Sequence, residues 1–424
     1  MADIHQSGTG PARRAFLKRA GMAGLGAAGL ALGAIGWRHE RAPDPIKVGV
    51  LHSLSGSMSI SETALCDAAL LAIEEINAGG GVLGRPVQAM VEDGASDPAE
   101  FSRKCASLLA QDRVCSIFGC WTSACRKAML PVLEHYNGLL WYPVQYEGNE
   151  CTRQVIYTGS TPHQQVFPAV LWLLHNGHRR MYLLGSDYVY PRTANRIVRE
   201  VLAEAGSQAV GEEYVPLGAR DFTAAIARIR AARPDVVFST INGGSNRTFY
   251  RQFHDAGLTA AAMPIMAMSV AEAEIRYIDP AATTGHYAAW AYFQSLPGDA
   301  NRTFIGNFQD RYGNRRVTDD PMEAAYFQVK LWAQAVRQAQ STTTDAIRQA
   351  AAGQTLEAPE GRVQIDPVNR HTWKWLRIGQ IQADSQFAVR YSSVQALDPN
   401  PWIPELNGGR SCNWSSGKVV PVSD

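Results

Sequence analysis

Three short stretches of this sequence combine polar and aromatic side chains at places where a predicted strand ends. The first comprises Trp121, Thr122 and Ser123, which follow a strand predicted over residues 114–118. An indole N–H, two hydroxyls and the free N–H groups of a helix start all make neutral hydrogen bonds. Thr122 or Ser123 is also suited to cap the helix that follows. Because Trp121 adds an aromatic wall beside them, the stretch favours non-covalent recognition of a small, planar polar molecule.

The second stretch follows a strand predicted over residues 139–142. Tyr142 ends that strand, and Pro143, Val144 and Gln145 come next. A tyrosine at a strand end is often a core residue with a satisfied hydroxyl. Two tyrosines around a proline and a glutamine instead favour a pocket lining, to which Val144 contributes only its backbone.

The third stretch repeats this arrangement in the second half of the chain. Tyr188 follows a strand predicted over residues 180–184, and its neighbour Asp187 is suited to cap the next helix. Asn242 and Ser269 lie at the ends of later strands. We predict that Tyr188, Asn242 and Ser269 complete the ligand site from the other side.

Bond-making chemistry has little support among these residues. Cys120 is the candidate nucleophile, but the Cys-Gly-x-Cys-Trp signature of a cysteine hydrolase is missing, so we interpret Cys120 as a buried, inert thiol. The ten histidines are scattered and the seven cysteines form no CxxC pairs, so no metal or other cofactor is predicted. We therefore predict a binding protein rather than an enzyme, with an amide hydrolase as the weaker alternative.

Alternating strands and helices must position these stretches. Strands are predicted over residues 46–51, 87–92, 114–118, 139–142, 155–158, 180–184, 209–215 and 236–240. Helices are predicted over residues 63–78, 98–112, 124–136, 191–205, 223–232, 247–256 and 322–338. This alternation predicts an α/β fold of two doubly wound, Rossmann-like lobes joined by a hinge, with helices on both faces of each parallel sheet.

The alternation of strands and helices is interrupted once and then begins again, and this interruption sets the predicted lobe boundaries. The chain is expected to cross between lobes near residues 160–162 and 285–287. The first lobe is assigned residues 46–160 plus 288–340, the second 161–287 plus 341–396, and a Pro-, Gly- and Ser-rich tail 397–424. Ligands bind beyond the carboxyl ends of parallel strands, where strand order reverses. The loops at residues 53–61, 119–123, 186–190 and 242–245 are therefore expected to face each other across a cleft that closes by a hinge motion.

The amino terminus predicts an export signal rather than part of the fold. Arg13 and Arg14 begin a twin-arginine stretch, and the apolar run over residues 20–35 is too short and weak to span a membrane. Residues 1–43 are therefore assigned to a twin-arginine signal and linker, and the periplasm is the predicted location. A GxGxxG pattern at residues 24–29 follows no strand and is not interpreted as a nucleotide site.

Composition limits the classes of partner. Forty Lys and Arg against thirty-nine Asp and Glu give a net charge of +1, and no basic run is present, so nucleic acid is not an expected partner. The 46% hydrophobic content of 424 residues predicts a substantial core in two domains of ordinary size. Seven cysteines leave at least one unpaired, and Cys120 or Cys125 with Cys151 is an open possibility in an oxidising compartment.

Several longer motifs resemble the urea- and amide-binding branch of the Leu/Ile/Val-type periplasmic binding proteins. They lie at residues 91–97 (VEDGASD), 118–123 (FGCWTS), 126–127, 142–148 (YPVQYEG), 185–195 (GSDYVYPRTAN), 236–240, 318–326 (TDDPMEAAY) and 382–387. The resemblance covers residues 46–401 and is strongest to the urea-binding components of ABC transporters. It implies the type I periplasmic binding protein fold and delivery of the ligand to permease and ATPase subunits, with membrane contact only through the permease.

The resemblance also implies which residues touch the ligand. In amide-sensing relatives a serine, a tyrosine and a second-lobe tyrosine surround the amide, and by motif these are Ser123, Tyr142 and Tyr188. This sequence has Trp121 where the sensors have a tyrosine, and Val144 with Gln145 where they have Thr-Pro. Those departures favour the urea branch.

Urea has one carbonyl acceptor, four N–H donors and no net charge. Its site therefore needs matched hydrogen bonds and no buried charged partner, because an unpaired buried polar group costs about 1–3 kcal/mol. The alternatives are a short-chain amide such as acetamide or formamide, an amide-sensing regulator, or an amino acid whose ammonium group is held by Glu147, Asp187 or Glu272.

Overall fold

Short apolar strands alternate with amphipathic helices and build two open sheets. The structure is a computed structural model, and it describes residues 43–421. The predicted export signal at residues 1–43 falls almost wholly outside the described residues.

The first sheet contains five parallel strands in the order β2-β1-β3-β4-β5. Its strands are β1 (Ile46–His52), β2 (Val87–Asp93), β3 (Ile117–Gly119), β4 (Leu140–Tyr142) and β5 (Val155–Tyr157). The helices between them are α1 (Ser59–Ala78), α2 (Pro98–Ser107), which continues as a π-helical turn at Leu108–Asp112, and α3 (Ser123–Tyr136). Because β1, β3, β4 and β5 are almost wholly buried, their sequences read as continuous apolar runs rather than as alternating patterns.

The second sheet contains seven strands in the order β15-β14-β10-β9-β8-β6-β7. Its strands are β6 (Arg180–Ser186), β7 (Gln208–Val215), β8 (Val236–Thr240), β9 (Ile265–Ala267), β10 (Tyr287–Trp290), β14 (Arg377–Ile381) and β15 (Phe387–Ser392). The last two are antiparallel additions to a parallel sheet. The helices of this lobe are α4 (Val166–His175), α5 (Val189–Glu204), α6 (Thr223–Ala232), α7 (Ser245–Asp255), α8 (Glu272–Ile275) and α9 (Pro280–Thr283).

The remaining elements lie after β10. They are α10 (Asp299–Tyr312), α11 (Asp320–Ala339), α12 (Thr344–Ala351), β11 (Thr355–Ala358), β12 (Gly361–Ile365), β13 (Thr372–Trp373), a 3₁₀ turn (Pro404–Asn407), β16 (Ser411–Asn413) and β17 (Lys418–Val420). α11 packs against α1, as expected for the helix predicted to return to the first lobe. The two sheets are therefore each covered by helices, which confirms the predicted fold class.

The lobes divide the chain at different points from the predicted boundaries. α10 packs on α1, and α12 and β11 pack on α11, so residues 299–373 associate with the first sheet, whereas residues 341–396 were predicted in the second lobe. The turn at Gly285 precedes β10, which still pairs within the second sheet. The chain thus crosses between the lobes three times, at residues 158–165, 291–298 and 374–376, because the second sheet recruits β14 and β15 after the first lobe is complete.

Both sheets reverse their strand order at the places where the predicted loops lie. In the first sheet the reversal falls between β1 and β3, and in the second between β6 and β8. The loops that leave these four strands are those predicted at residues 53–61, 119–123, 186–190 and 242–245. Fold topology therefore directs the four loops to the two crevices where open α/β sheets bind ligands.

A buried charge cluster lies where the third crossing passes the first lobe. The Lys374 ammonium group lies 2.9 Å from a Glu360 oxygen and 3.9 Å from oxygens of Asp320 and Glu323, and all four side chains are buried. Although burial favours a neutral amine, these three carboxylates raise the pKa of Lys374 above its ordinary value. Asp320 also accepts hydrogen bonds from the main-chain N–H groups of Ala291 and Tyr292 in the second crossing. The cluster thus fastens two crossings to α11.

The cysteines pair differently from the possibility raised above. Cys151 forms a disulfide with Cys412 across a sequence separation of 261 residues, and neither Cys120 nor Cys125 is its partner. Cys120 and Cys125 lie inside the first-lobe core. The disulfide instead fixes the carboxy-terminal tail to the segment after β4, so the tail wraps the fold.

Thiol counting tests this pairing. Unfolding the protein in guanidinium without reductant should expose five reactive thiols, and prior reduction should expose seven. In the native state the five free thiols should react slowly, because four are buried, Cys115 is partly buried, and burial raises the pKa values of all five. A cross-linked peptide containing Cys120 or Cys125 would contradict the pairing.

Replacing the buried lysine tests the charge cluster. Lys374→Met should lower the free energy of unfolding at pH 7 by about 3–5 kcal/mol, because three buried carboxylates lose their counter-charge. The control is Lys330→Met, which removes a more exposed ion pair with Glu75 and should cost about 1 kcal/mol or less. The free energy of unfolding is measured by chemical denaturation. Equal decreases in the two variants would show that the buried cluster stabilises the protein no more than an exposed ion pair does.

Candidate ligand-binding site

The loop after β3 presents an indole and a helix start to the cleft. Thr122 caps α3, since its hydroxyl oxygen accepts a hydrogen bond from the Cys125 N–H at 3.2 Å. Trp121 precedes the cap and is 2% exposed. Thr122 therefore has a structural role. Trp121 and Ser123, its two neighbours in sequence, are the candidate ligand-contacting residues of this loop.

Ser123 and Tyr142 are held in fixed orientations. The Ser123 hydroxyl donates to a Glu147 carboxylate oxygen and accepts from an Arg126 Nη1 hydrogen at 3.1 Å. The Tyr142 hydroxyl donates to the carbonyl oxygen of Trp121. Because both hydroxyl protons are already used, each oxygen can meet a further group only as an acceptor.

The buried guanidinium group of Arg126 contacts both Ser123 and Tyr142 and helps to orient them. Arg126 is fully buried, and its Nε and Nη2 donate to Glu150 at 2.8 and 3.2 Å, while Nη2 also donates to Glu147 at 3.2 Å. The guanidinium carbon lies 4.7 Å from the ring centre of Tyr142. Although burial opposes ionisation, the charges of Arg126 and Lys127 hold the pKa of Glu150 at about 2. The carboxylate therefore remains charged at every physiological pH.

Three hydrogen bonds join the lobes directly at this place. The Trp121 indole N–H donates to the Asn242 side-chain oxygen at 3.1 Å. The Gln145 amide donates to the Ser269 hydroxyl at 2.6 Å and to the Met268 carbonyl at 2.9 Å. Trp121 and Gln145 belong to the first lobe, and their partners lie at the ends of β8 and β9. The four predicted residues therefore meet across the cleft.

The loop after β1 completes the contact between the lobes. A β-carbon at Gly243, whose φ is +62°, would lie 2.9 Å from the carbonyl oxygen of Ser57 and 2.8 Å from the sulfur of Met58. No side chain fits there, so this position requires glycine. Nearby, the Ser61 hydroxyl donates to Glu274 of α8 at 2.6 Å. The contact between the lobes is thus polar and close.

Several buried polar atoms in this region have no hydrogen-bond partner within residues 43–421. Among them are the Gln145 side-chain oxygen and the hydroxyl of Tyr190, which lies beside Gln145 and Ser269. Burial raises the pKa of Tyr190, so its hydroxyl remains protonated. Tyr188 is half-buried, and its ring lies 6.4 Å from that of Tyr190. An acceptor and a donor are thus available to a bound molecule.

The predicted residues divide into two groups in the structure. Trp121, Ser123, Tyr142, Gln145, Tyr188, Asn242 and Ser269 gather around the lobe contact. Thr122, Pro143 and Val144 are buried beside it, and the Val144 carbonyl faces Gly159, where a β-carbon would lie 2.0 Å away. The main chain of Gly159 therefore packs closely against the Val144 carbonyl.

Three residues of this region were not predicted as site residues. Arg126 belonged only to a family motif, Tyr190 only to a family motif and the loop at residues 186–190, and Glu150 to neither a motif nor a predicted loop. The spacing of Ser123, Arg126 and Lys127 on one helical turn is the signal that could have placed Arg126 next to Ser123.

The surroundings of Cys120 do not suit a nucleophile. Burial raises the pKa of the Cys120 thiol, and its sulfur contacts the Thr122 carbonyl oxygen at 3.9 Å. A thiol without access to water and without a neighbouring base is inert. In the described part of the chain, no group of three or more His, Cys, Asp or Glu side chains is placed to hold a metal ion.

Comparison with known proteins identifies the family. The family described as "Periplasmic binding protein domain" matches residues 46–407. Leu/Ile/Val-binding protein homolog 6 of Brucella melitensis is 24% identical over 287 residues, which are 65% of this chain and 72% of that protein. A solute-binding protein of an ABC transporter from Rhodopseudomonas palustris BisB5, solved with 3,4-dihydroxybenzoic acid, is 22% identical with a TM-score of 0.75. The similarity covers 84% of this chain and 99% of that structure.

One relative carries the name of an enzyme. A limonene hydroxylase of Geobacillus stearothermophilus is 32% identical over 117 residues, which are 28% of this chain but only 21% of the enzyme. So short a match assigns no activity. None of the helices within residues 43–421 is long and apolar enough to cross a bilayer. The chain belongs to the periplasmic binding protein family.

Proposed function

We propose that this protein captures urea between its two lobes in the periplasm and delivers it to the permease and ATPase subunits of an ABC transporter. The proposal adds a ligand and an export route, by the twin-arginine signal, to the family assignment. The main support is the polar contact between the lobes, where neutral side chains from both sheets meet.

That contact carries the proposal because the four side chains that meet at Trp121 and Gln145 are neutral and make direct hydrogen bonds. Trp121 meets Asn242 and Gln145 meets Ser269 by direct hydrogen bonds, so the facing loops lie within about one hydrogen-bond length of each other. A ligand held beside such contacts must be small. It must also be uncharged and able to make several hydrogen bonds, and urea has these properties.

The nearby charges compensate one another. Arg126 and Lys127 contribute two positive charges, and Glu147 and Glu150 contribute two negative charges, all within one network of ion pairs. A carboxylate ligand needs an unpaired cation or a set of free N–H groups, and Arg126 has committed all three of its nitrogens. This balance favours a neutral ligand over an aromatic acid of the kind bound by the Rhodopseudomonas palustris protein.

Unused hydrogen-bonding capacity in the region matches urea. The Gln145 oxygen and the free lone pair of Ser123 suit two of the N–H donors of urea, and the Tyr190 hydroxyl suits its carbonyl oxygen. A methyl group in place of one amino group would leave such an acceptor unpaired, so we expect discrimination against acetamide.

An amino acid is the second candidate, since the Brucella melitensis relative is named as a Leu/Ile/Val-binding protein. It requires a carboxylate for the ammonium group of the ligand. Glu147 is the acidic residue in the right place, but its two oxygens already accept from Ser123 and Arg126. Asp187 is paired with Arg192 on the surface. Glu272 accepts from the Gln294 N–H through one oxygen, and burial raises its pKa, which disfavours a charged carboxylate there. Urea is therefore the better candidate, followed by a short-chain amide.

Calorimetric titration tests the ligand. Urea should bind with a dissociation constant of about tens of micromolar, because four heavy atoms at about 1.5 kcal/mol each supply roughly 6 kcal/mol. Acetamide and formamide should bind at least about tenfold more weakly, and leucine should give no heat. Heat with leucine and none with urea would refute the assignment. A protein found only in the cytosol would instead favour the amide-sensing regulator.

A double-mutant cycle tests the contact between the lobes. Trp121→Phe removes the indole N–H, Asn242→Ala removes its acceptor, and each should weaken urea binding by about 1–2 kcal/mol. Since both changes break one hydrogen bond, the double variant should lose less than the sum of the two losses. Trp172→Phe, on the outer helix α4, is the control and should bind as the unmodified protein does. Strict additivity would show that the bond plays no part in ligand capture.

A further inference from the structure

The segment after β4 carries key polar groups without regular secondary structure. Residues 143–154 form no helix or strand, yet they place Gln145 against Ser269, and Glu147 and Glu150 against Arg126. No ladder of main-chain hydrogen bonds fixes such a segment, so its position depends on the contacts that its own residues make.

Residues 397–413, here called the strap, supply many of those contacts. The Asn149 N–H donates to the Pro401 carbonyl at 2.7 Å, and the Asn149 side-chain oxygen accepts from the Ile403 N–H at 2.8 Å and from Asn407 at 2.7 Å. A β-carbon at Gly148 would lie 2.7 Å from the Pro401 oxygen. The strap therefore contacts Gly148 and Asn149, the two residues between Glu147 and Glu150, directly.

The strap is anchored on the other lobe as well. Leu397, Ile403 and Leu406 pack against the second-lobe core. The Leu397 N–H donates to the Lys374 carbonyl at 2.7 Å, and Gln164 donates to the Leu397 carbonyl at 2.9 Å. The strap thus touches the first and third crossings of the chain as well as the segment after β4.

Packed aromatic rings connect Trp414, which directly follows the strap, to Arg126 by a second route. The ring centres of His371 and Trp414 are 5.6 Å apart, those of Tyr157 and His371 are 4.1 Å apart, and Tyr157 donates to Glu150 at 2.5 Å. Arg126 lies over the ring of Tyr146, which stacks on Tyr157. Displacement of the tail therefore disturbs Arg126 through the stack as well as through the loop.

We propose that the strap is a positioning element of the ligand site, so that ligand affinity depends on the closed disulfide between Cys151 and Cys412. Cys151 follows Glu150 directly, so the covalent bond fixes the segment one residue from the carboxylate that holds Arg126. Arg126 in turn orients Ser123. The inference rests on the proposed function, because the groups that the strap positions belong to the proposed urea site.

Urea titration of the oxidised and reduced protein tests the coupling. Reduction should weaken urea binding about tenfold, within the range usual for coupling between distant sites. Cys151→Ser with Cys412→Ser should bind equally weakly and should be insensitive to reductant. Asn149→Ala should weaken binding without breaking the disulfide. The control Cys105→Ser, a buried free cysteine in α2, should retain both the affinity and the response to reductant.

The outcomes separate this inference from the ligand assignment. Urea affinity that stays within twofold on reduction, in a protein that remains folded by circular dichroism, overturns the inference. Hydrogen exchange supplies a readout that needs no ligand: the amides of residues 143–153 should exchange at least about tenfold faster after reduction, while β1 remains protected. If the oxidised protein binds no urea, the ligand assignment fails, and unchanged exchange in this segment separately overturns the role of the strap.

Discussion

A guanidinium without access to water imposes the main constraint on the proposed site. Arg126 must satisfy its charge and its nitrogens inside the protein, because an unpaired buried charge costs several kcal/mol. Glu147, Glu150 and Ser123 meet this requirement, and in doing so they fix the start of α3 and the irregular segment after β4. The orientation of the candidate ligand groups thus follows from the burial of one cation.

The electrical neutrality of the proposed site follows from the same constraint. The charges of the network cancel, and the groups that reach the other lobe are an indole, an amide and hydroxyls. The two topological switch points bring these groups together, since each sheet ends its central strands at the cleft. The fold therefore determines where the proposed site lies, and the balanced ion pairs of Arg126 leave no net charge beside it.

Local patterns predicted much of the fold. The helix at residues 223–232 and the strand at 236–240 have the predicted bounds, because their apolar content and flanking turns are local signals. The small sheet of β11–β13 and the strands β14 and β15 were not predicted, since their short segments mix polar and apolar residues and take their form from α11 and the second sheet. The partner of Cys151 lies 261 residues away, beyond the reach of any local pattern. Motifs brought Trp121, Ser123 and Tyr142 into view, whereas the burial of Arg126 and Glu150 arises only from tertiary packing.

A crystal structure of the mature protein with urea tests the central claim most directly. We expect one urea molecule between the lobes, with hydrogen bonds to groups of both sheets near Trp121, Gln145 and Tyr190, and with the Arg126 ion pairs intact. A cleft that excludes urea but holds an amino acid, with Glu147 turned away from Arg126 towards an ammonium group, would contradict it.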